Sequence, residues 1–390
     1  MEPDKKAALF GEKLSSILNY GALNAAMGIG YASGAFEALA QFDAPASCDD
    51  IAAAAGLDAR YLLEWLGVMV SGGIVEVSVE DGQHAAMTLG AGTEDASAEN
   101  RFFQEDMDDE PEKEELFFLP KEYVPFLTHR GGSQNLGVYT QEIPLLSRCV
   151  LQDITQGMRT GEGVGYHRYK PFYSFMEQLS HAKDESVLME AFLPSVENGE
   201  LVQRLTQGIH VCDVGCGDGV TVLRMAQAFP KSQFVGFDID EGCIERAEVK
   251  VSELGLSNAQ FVVQDAANEV MESNLYDYVM AFDSIHDQTR PFEALKNIQT
   301  MLKDGGIFSM VDIAAESSVA GNKEHPMGAF LYTVSLMHCM PVGLVDNGMG
   351  LGMMWGRQQA VTLCSAAGFS DVAVLDIPGD GFNAHYLCRK

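Results

Sequence analysis

One stretch restricts this chain to very few folds: Ile209 to Asp240, IHVCDVGCGDGVTVLRMAQAFPKSQFVGFDID. It opens with an apolar run, Ile209, Val211 and Val214, that suits a buried strand. The run passes into a tight glycine loop, Asp213 to Gly219. A helix follows, with Val222, Leu223, Met225 and Ala226 at helical spacing and Pro230 as its stop. A second strand, Phe234 to Phe237, ends on Asp238. This is a βαβ unit, and such units bind nucleotides beyond the C-terminal ends of their strands.

The residues also narrow the ligand. Gly215 and Gly217 have no Cβ, so a ligand can lie against bare backbone amides there. Asp238 stands about one βα repeat downstream, where a carboxylate can accept hydrogen bonds from both ribose hydroxyls of an adenosine. The glycines are spaced G-x-G-x-G, not G-x-G-x-x-G as in dinucleotide folds. A pyrophosphate wants the helix N-terminus to itself, and Asp218 would place a negative charge close to it. The expected ligand therefore carries adenosine and no phosphate.

At these residues the chain resembles the class I S-adenosylmethionine-dependent methyltransferases. The resemblance implies an α/β fold: a Rossmann-like, seven-stranded methyltransferase domain behind a mostly helical winged-helix domain. It also implies S-adenosyl-L-methionine as cofactor, held by Asp213, Gly215, Cys216 and Gly217 at the methionine end. Asp238 and Ile239 would serve the ribose and Asp265 and Ala266 the adenine, with Asp283 and Ser284 closing the site. For Asp265, capping of the following turn is the alternative.

Composition excludes some partners. The chain has 390 residues, a length natural for two domains, and a formal net charge of −31. Such acidity repels phosphate backbones, so no nucleic-acid substrate is expected. The N-terminus MEPDKKAALFGEKL has no apolar signal core, and no apolar run reaches membrane-spanning length. Eight cysteines without a C-x-x-C pair suit a reduced, cytoplasmic setting.

Residues 1–90 read as a winged-helix and dimerisation domain. Two helices are expected over 5–41, with Leu9, Leu14, Ile17 and Leu18, then Leu23, Met27, Phe36 and Leu39, as apolar faces. Gly28, Gly30 and Gly34 are poor helix formers, so they point to close approach of another helix, in a homodimer or within the chain. Ser47 with Asp50 forms a capping box, and Asp58 starts a second helix with Leu62, Leu63, Leu66 and Met69 or Val70 inward. Ile74–Val79 reads as a strand and Asp81-Gly82 as a hairpin turn. DNA binding by this motif needs cations on the second helix, which carries Arg60 beside Glu64. A dimerising, pocket-closing role fits better.

Residues 91–135 read as an acidic insertion and linker, solvated. Residues 136–195 form a helical linker and lid, interrupted by Gly161 to Tyr169. The resemblance makes residues 196–390 the expected methyltransferase domain. In it, Gly305-Gly306 would end the helix Phe292–Leu302, and residues 314–354, rich in Met, Gly and aromatics, would be a pocket or interface insertion.

The loop after the fourth strand, Asp283 to Gln288, is where a side chain can touch both cofactor and acceptor. His286 is the candidate catalytic base, with Asp287 or Asp283 orienting its ring. His286-Asp287 resembles the catalytic His-Asp of plant-type O-methyltransferases, although Gln288 stands where those enzymes usually have Trp. The group of winged-helix small-molecule methyltransferases is similar over most of the chain outside 91–115. Tyr166, His167, Met176, His325, Tyr332, His338 and Trp355 are the expected acceptor pocket. His325, His338 and Cys339 lack further ligands at metal spacing, so no metal is expected. The expected activity is methyl transfer to O, N or S of a small-molecule acceptor. The alternatives are a protein or RNA methyltransferase and a cofactor-sensing winged-helix transcriptional regulator.

Overall fold

A computed structural model describes residues 3–81, 113–172, 175, 176, 179, 187–268 and 273–390. The chain divides into two compact units, 1–141 and 142–390.

In the first unit the two helices expected over 5–41 are instead one long helix and a short one. Pro3–Ser33 runs for 31 residues, straight through Gly28 and Gly30. It stops where Gly34 turns left-handed at φ 79°, and Ala35–Leu39 follows. The two glycines inside the long helix have a packing cause. A Cβ on Gly28 would lie 2.8 Å from the Thr140 carbonyl oxygen, and one on Gly30 2.2 Å from the Trp65 ring. Their close approach is thus within the chain. Trp65 donates its indole N–H to the Ala26 carbonyl at 2.8 Å and meets Phe36 edge to face at 5.0 Å.

The helices Cys48–Ala55 and Ala59–Ser71 start where the caps predict. Ser47 Oγ accepts from the Asp50 amide and Asp58 from the Tyr61 amide. Leu62, Leu66 and Met69 are buried, but Leu63 is 43% exposed and Trp65 takes the inward place assigned to it. The wing is built from β1 (Ala46–Ser47), β2 (Glu76–Asp81) and β3 (Lys113–Phe118), in the order β1-β3-β2. The antiparallel partner of β2 is thus drawn from the far side of the acidic stretch. The Asp81-Gly82 turn and most of that stretch lie outside the described residues. Arg60, the cation of the second helix, is paired with Glu64 at 2.7 Å.

The second unit holds a seven-stranded sheet: β4 (His210–Val214), β5 (Gln233–Asp238), β6 (Ala259–Val263), β7 (Tyr276–Phe282), β8 (Leu302–Ile313), β9 (Asp371–Ile377) and β10 (Asp380–Arg389). Their order is β6-β5-β4-β7-β8-β10-β9, parallel except for β10, which runs antiparallel to β8 and β9. Strands covered on both faces read as continuous apolar runs. Alternate residues accordingly enter different cores. Val211, Tyr278 and Met280 pack with Leu223, Met225 and Ile244; Cys212, Val279 and Ala281 pack with Leu295, Ile298 and Ala360.

Gly305-Gly306 does not end a helix. That helix, Pro291–Met301, stops earlier, and β8 already pairs at Leu302 with Tyr276 before the register shifts. Gly305, at φ 76°, supplies the bulge. Residues 314–354 fold into Gly328–Met337 and Cys339–Gly343, the first packed on Glu142–Thr160. No described helix is long and apolar enough to cross a membrane.

Candidate active site

Strand order reverses at β4, which has β5 on one side and β7 on the other. A crevice therefore opens beyond Val214. The loop that follows takes three glycines through positive φ: Gly215 (77°), Gly217 (53°) and Gly219 (75°). At Gly215 space as well as backbone demands glycine, because a Cβ would lie 2.5 Å from that of Ser284. Ser284 in turn donates to the Val214 carbonyl at 2.7 Å, tying the loop after β7 to the end of β4.

The loop amides are not bare. Gly215 N–H and Cys216 N–H both donate to the Phe237 carbonyl, at 2.8 and 2.9 Å. Gly217 N–H donates to Asp238 Oδ2 at 2.8 Å. With those donors committed, the loop is no anion cradle. Around it stand Asp213, which is buried, Asp218, Asp238 and Asp240. Such a crevice favours a cationic group over a phosphate. Asp218 does not stand alone at the helix start; Arg246 pairs with it at 2.8 Å.

Asp238 has one backbone donor on each oxygen: Gly217 N–H on Oδ2 and Asp240 N–H on Oδ1 at 2.9 Å. A carboxylate has about four acceptor sites, so it can still take two hydroxyl donors. Burial raises its pKa, and the backbone donors work against that rise. Ile239 beside it is 61% exposed. Asp265 accepts from the Ala267 amide at 2.8 Å on one oxygen and from Arg290 at 2.7 Å on the other. It caps its own turn and is also tethered; Ala266, half-buried, accepts from Asn297 at 2.8 Å. Asp283 ends β7 with φ 50°, a left-handed value that a non-glycine residue adopts at a cost, as at many functional sites.

His286 lies one turn further on, 2% exposed. Its Nδ1 is 2.8 and 2.9 Å from the two oxygens of Asp312, on β8, so Asp312 orients the ring and not Asp283. Asp287 faces the other nitrogen, with Oδ1 3.3 Å from Nε2. Burial alone would lower the histidine pKa. The carboxylates of Asp312 and then Asp287 outweigh it and hold the pKa well above the usual histidine value. Asp312 itself is fully buried. A carboxylate inside an apolar strand run needs a partner, and the sequence SMVDIAA carried that signal unread.

The structure divides the expected acceptor pocket. His338 comes beside the site: its Nδ1 is 3.9 Å from Asp287 Oδ2, and burial lowers its pKa. Tyr166 lies 6.2 Å from the His338 ring, centroid to centroid. Tyr169, missed from sequence, packs edge-on against it at 4.8 Å and donates to the Met337 carbonyl. The Gly161–Tyr169 stretch is pinned to residues 314–354 by the Val164 N–H on the Pro341 carbonyl at 2.8 Å. His325 and Tyr332 belong to a different neighbourhood: His325 accepts from Met327 N–H, and the Tyr332 hydroxyl accepts from Asn322. Trp355 is buried in the sheet core, while His167 and Met176 are exposed. Cys339 is a buried thiol beside His286, pushed up to about 12 by burial and then by Asp287. It is protonated near neutral pH and is no ready thiolate relay.

Comparison with known proteins agrees with this architecture. Residues 205–337 match the family described as a methyltransferase domain, and residues 21–89 an Rv2258c-like winged HTH domain. A demethylmenaquinone methyltransferase of Listeria monocytogenes is 25% identical over 200 residues, which is 48% of this chain and 81% of that protein. The crystal structure of human N-acetylserotonin methyltransferase, a complex with SAM, superposes with a TM-score of 0.65 at 16% identity, covering 97% of each chain. The mitomycin 7-O-methyltransferase MmcR gives 0.60 at 15% identity over 99% of this chain and 100% of that one. These structural likenesses establish the fold.

Proposed function

We propose that this class I S-adenosylmethionine-dependent methyltransferase, with its N-terminal winged-helix domain, methylates an oxygen, nitrogen or sulfur of a small-molecule acceptor. One observation carries the reading: the carboxylate Asp238 at the end of β5 and a buried, carboxylate-held histidine in the loop after β7 flank β4, where the strand order reverses. The cofactor supplies an electrophilic sulfonium methyl group. Asp238 holds the ribose, and the acidic surroundings of the glycine loop suit the methionine ammonium. Asp265, tethered by Arg290, and Ala266 serve the adenine side.

His286 takes the acceptor's proton at Nε2 while Asp312 keeps Nδ1–H in place. Holding both reactants at near-attack distance supplies much of the rate. Tyr166, Tyr169 and His338 shape the acceptor side, and the aromatic faces suit a planar ring. The test is transfer of labelled methyl from S-adenosylmethionine to a low-molecular-mass extract. The expected label appears in small molecules and depends on His286. Label found only in protein or RNA would overturn the acceptor class.

The assembly we propose is a homodimer in a reducing, cytoplasmic setting, where all eight cysteines stay free thiols. Leu9, Phe10, Leu14, Ile17, Leu18 and Tyr20 on Pro3–Ser33 are all at least 45% exposed. A stripe of that size on a soluble chain marks an interaction face. Light scattering is expected to give twice the chain mass for the protein and the single mass for Leu14→Glu/Leu18→Glu. A monomeric parent would reject the dimer.

A further inference from the structure

The sequence sets Cys339 beside His338 and near His325, which makes no metal set. The fold gives it different neighbours. His286, Asp287 and Cys339 each offer one donor atom, and the three lie within 4.8 Å of one another. We propose that these three side chains bind a thiophilic divalent cation, of which Zn²⁺ is the type, with the fourth position left to water.

Four features of the structure carry this. The donors are an imidazole nitrogen, a carboxylate oxygen and a thiol sulfur, a set that suits zinc and not the all-oxygen shells of Mg²⁺ or Ca²⁺. They come from two separate segments, the loop after β7 and the start of Cys339–Gly343, so the site closes only in the fold. The histidine is pre-set for it: Asp312 occupies Nδ1 with both oxygens, which leaves Nε2 as the ligating atom. A carboxylate behind a metal-bound histidine is the usual outer partner of such sites. Asp287 Oδ1 is buried 3.3 Å from that Nε2 and makes no hydrogen bond of good geometry, so it faces the imidazole and thiol as a loosely held donor atom.

Distances support the assignment. Zinc bonds of about 2.0–2.3 Å put neighbouring tetrahedral ligands roughly 3.3–3.8 Å apart. The Asp287–His286 pair is already there, and small side-chain rotations bring the sulfur in. His338 Nδ1, 3.6 Å from the sulfur, lines the rim. Binding replaces two protons by the metal, the Cys339 S–H proton and the Nε2 proton that the neighbouring carboxylates keep on His286, and releases both to solvent. An ion on Nε2 also occupies the lone pair that proton transfer needs, so occupancy suppresses methyl transfer. That consequence rests on the base reading above; the binding does not.

The test uses full-length protein stripped with chelator, without cofactor or acceptor. Zn²⁺ is titrated against a chromophoric chelator, and Co²⁺ is added separately as a spectroscopic probe. The expected result is one tight equivalent of Zn²⁺ and a thiolate-to-cobalt charge-transfer band. In Cys339→Ser the band disappears. In Cys339→Ser and in Asp287→Asn zinc affinity falls by more than the roughly 10–100-fold cost of losing an outer partner. Thermal melts confirm that both variants are folded; if either is not, the thiolate band of the parent protein decides. No retained zinc, equal retention in both folded variants, or bound cobalt without the band would overturn the site.

Discussion

Asp312→Asn is expected to lower turnover by about 10² to 10⁴, the contribution of a well-placed general base. The side chain is wholly buried and offers no surface to a ligand. It acts through His286, whose Nδ1 it holds with both oxygens in a fully buried setting. An asparagine keeps the size and removes the charge. It can also present its amide NH₂ to Nδ1 and so favour the wrong tautomer, as known for buried carboxylates behind catalytic histidines. Cofactor affinity should stay within a few-fold, because the residues proposed to hold the cofactor lie at or just after the ends of β4, β5, β6 and β7, not β8.

The pH profile separates this role from mere packing. The folded pKa of His286 is raised, so the ring keeps its proton to a higher pH than an ordinary histidine. Its base form, and hence kcat/KM, grows only as pH rises through that elevated value. Removing the Asp312 charge lets burial lower the pKa. The acid limb of Asp312→Asn should therefore move to lower pH even as the plateau falls. A variant that is merely less stable would lose amplitude at every pH without moving the limb. His286→Ala is a poorer probe, since it strands a buried carboxylate at about 3–5 kcal/mol.

Local chemistry was legible in the sequence wherever neighbours in the chain are neighbours in space. The caps at Ser47 and Asp58 and the limits of β7 followed from residues a few positions apart. What escaped depended on distant partners. Gly28 and Gly30 give no hint of Thr140 or Trp65. Gly305-Gly306 looks like a helix stop, yet the β-register with Tyr276 governs it. The tether of Asp265 to Arg290 spans 25 residues, and the orientation of His286 by Asp312 spans 26. In the second case nearer carboxylates, Asp287 next in the chain and Asp283 three residues back, stand as the local candidates. Asp287 does face the ring, but at the nitrogen opposite the one that sets its tautomer. The loop amides show the same limit: glycine predicts bare backbone, but only the fold reveals that Phe237 and Asp238 already take its donors.

Asp238→Ala is expected to weaken S-adenosylmethionine binding by roughly 10² to 10⁴, measured by isothermal titration. Hydrogen bonds to a charged group contribute about 1.5–3 kcal/mol each, and two ribose hydroxyls make two of them; about 1.4 kcal/mol is tenfold. A second effect adds to the first. Asp238 also accepts from Gly217 N–H and Asp240 N–H, so its loss frees two backbone donors beside the glycine loop. Asp238→Asn discriminates between these effects. Its remaining carbonyl oxygen can keep one backbone bond while the charge is gone, so the loop should hold and affinity should still fall. Turnover at saturating cofactor should recover in both variants, because a residue that holds only the ribose shows its loss in KM. Unchanged cofactor affinity in Asp238→Ala would mean that the ligand of this crevice is anchored elsewhere, and the assignment of the switch point to an adenosine sulfonium would fall with it.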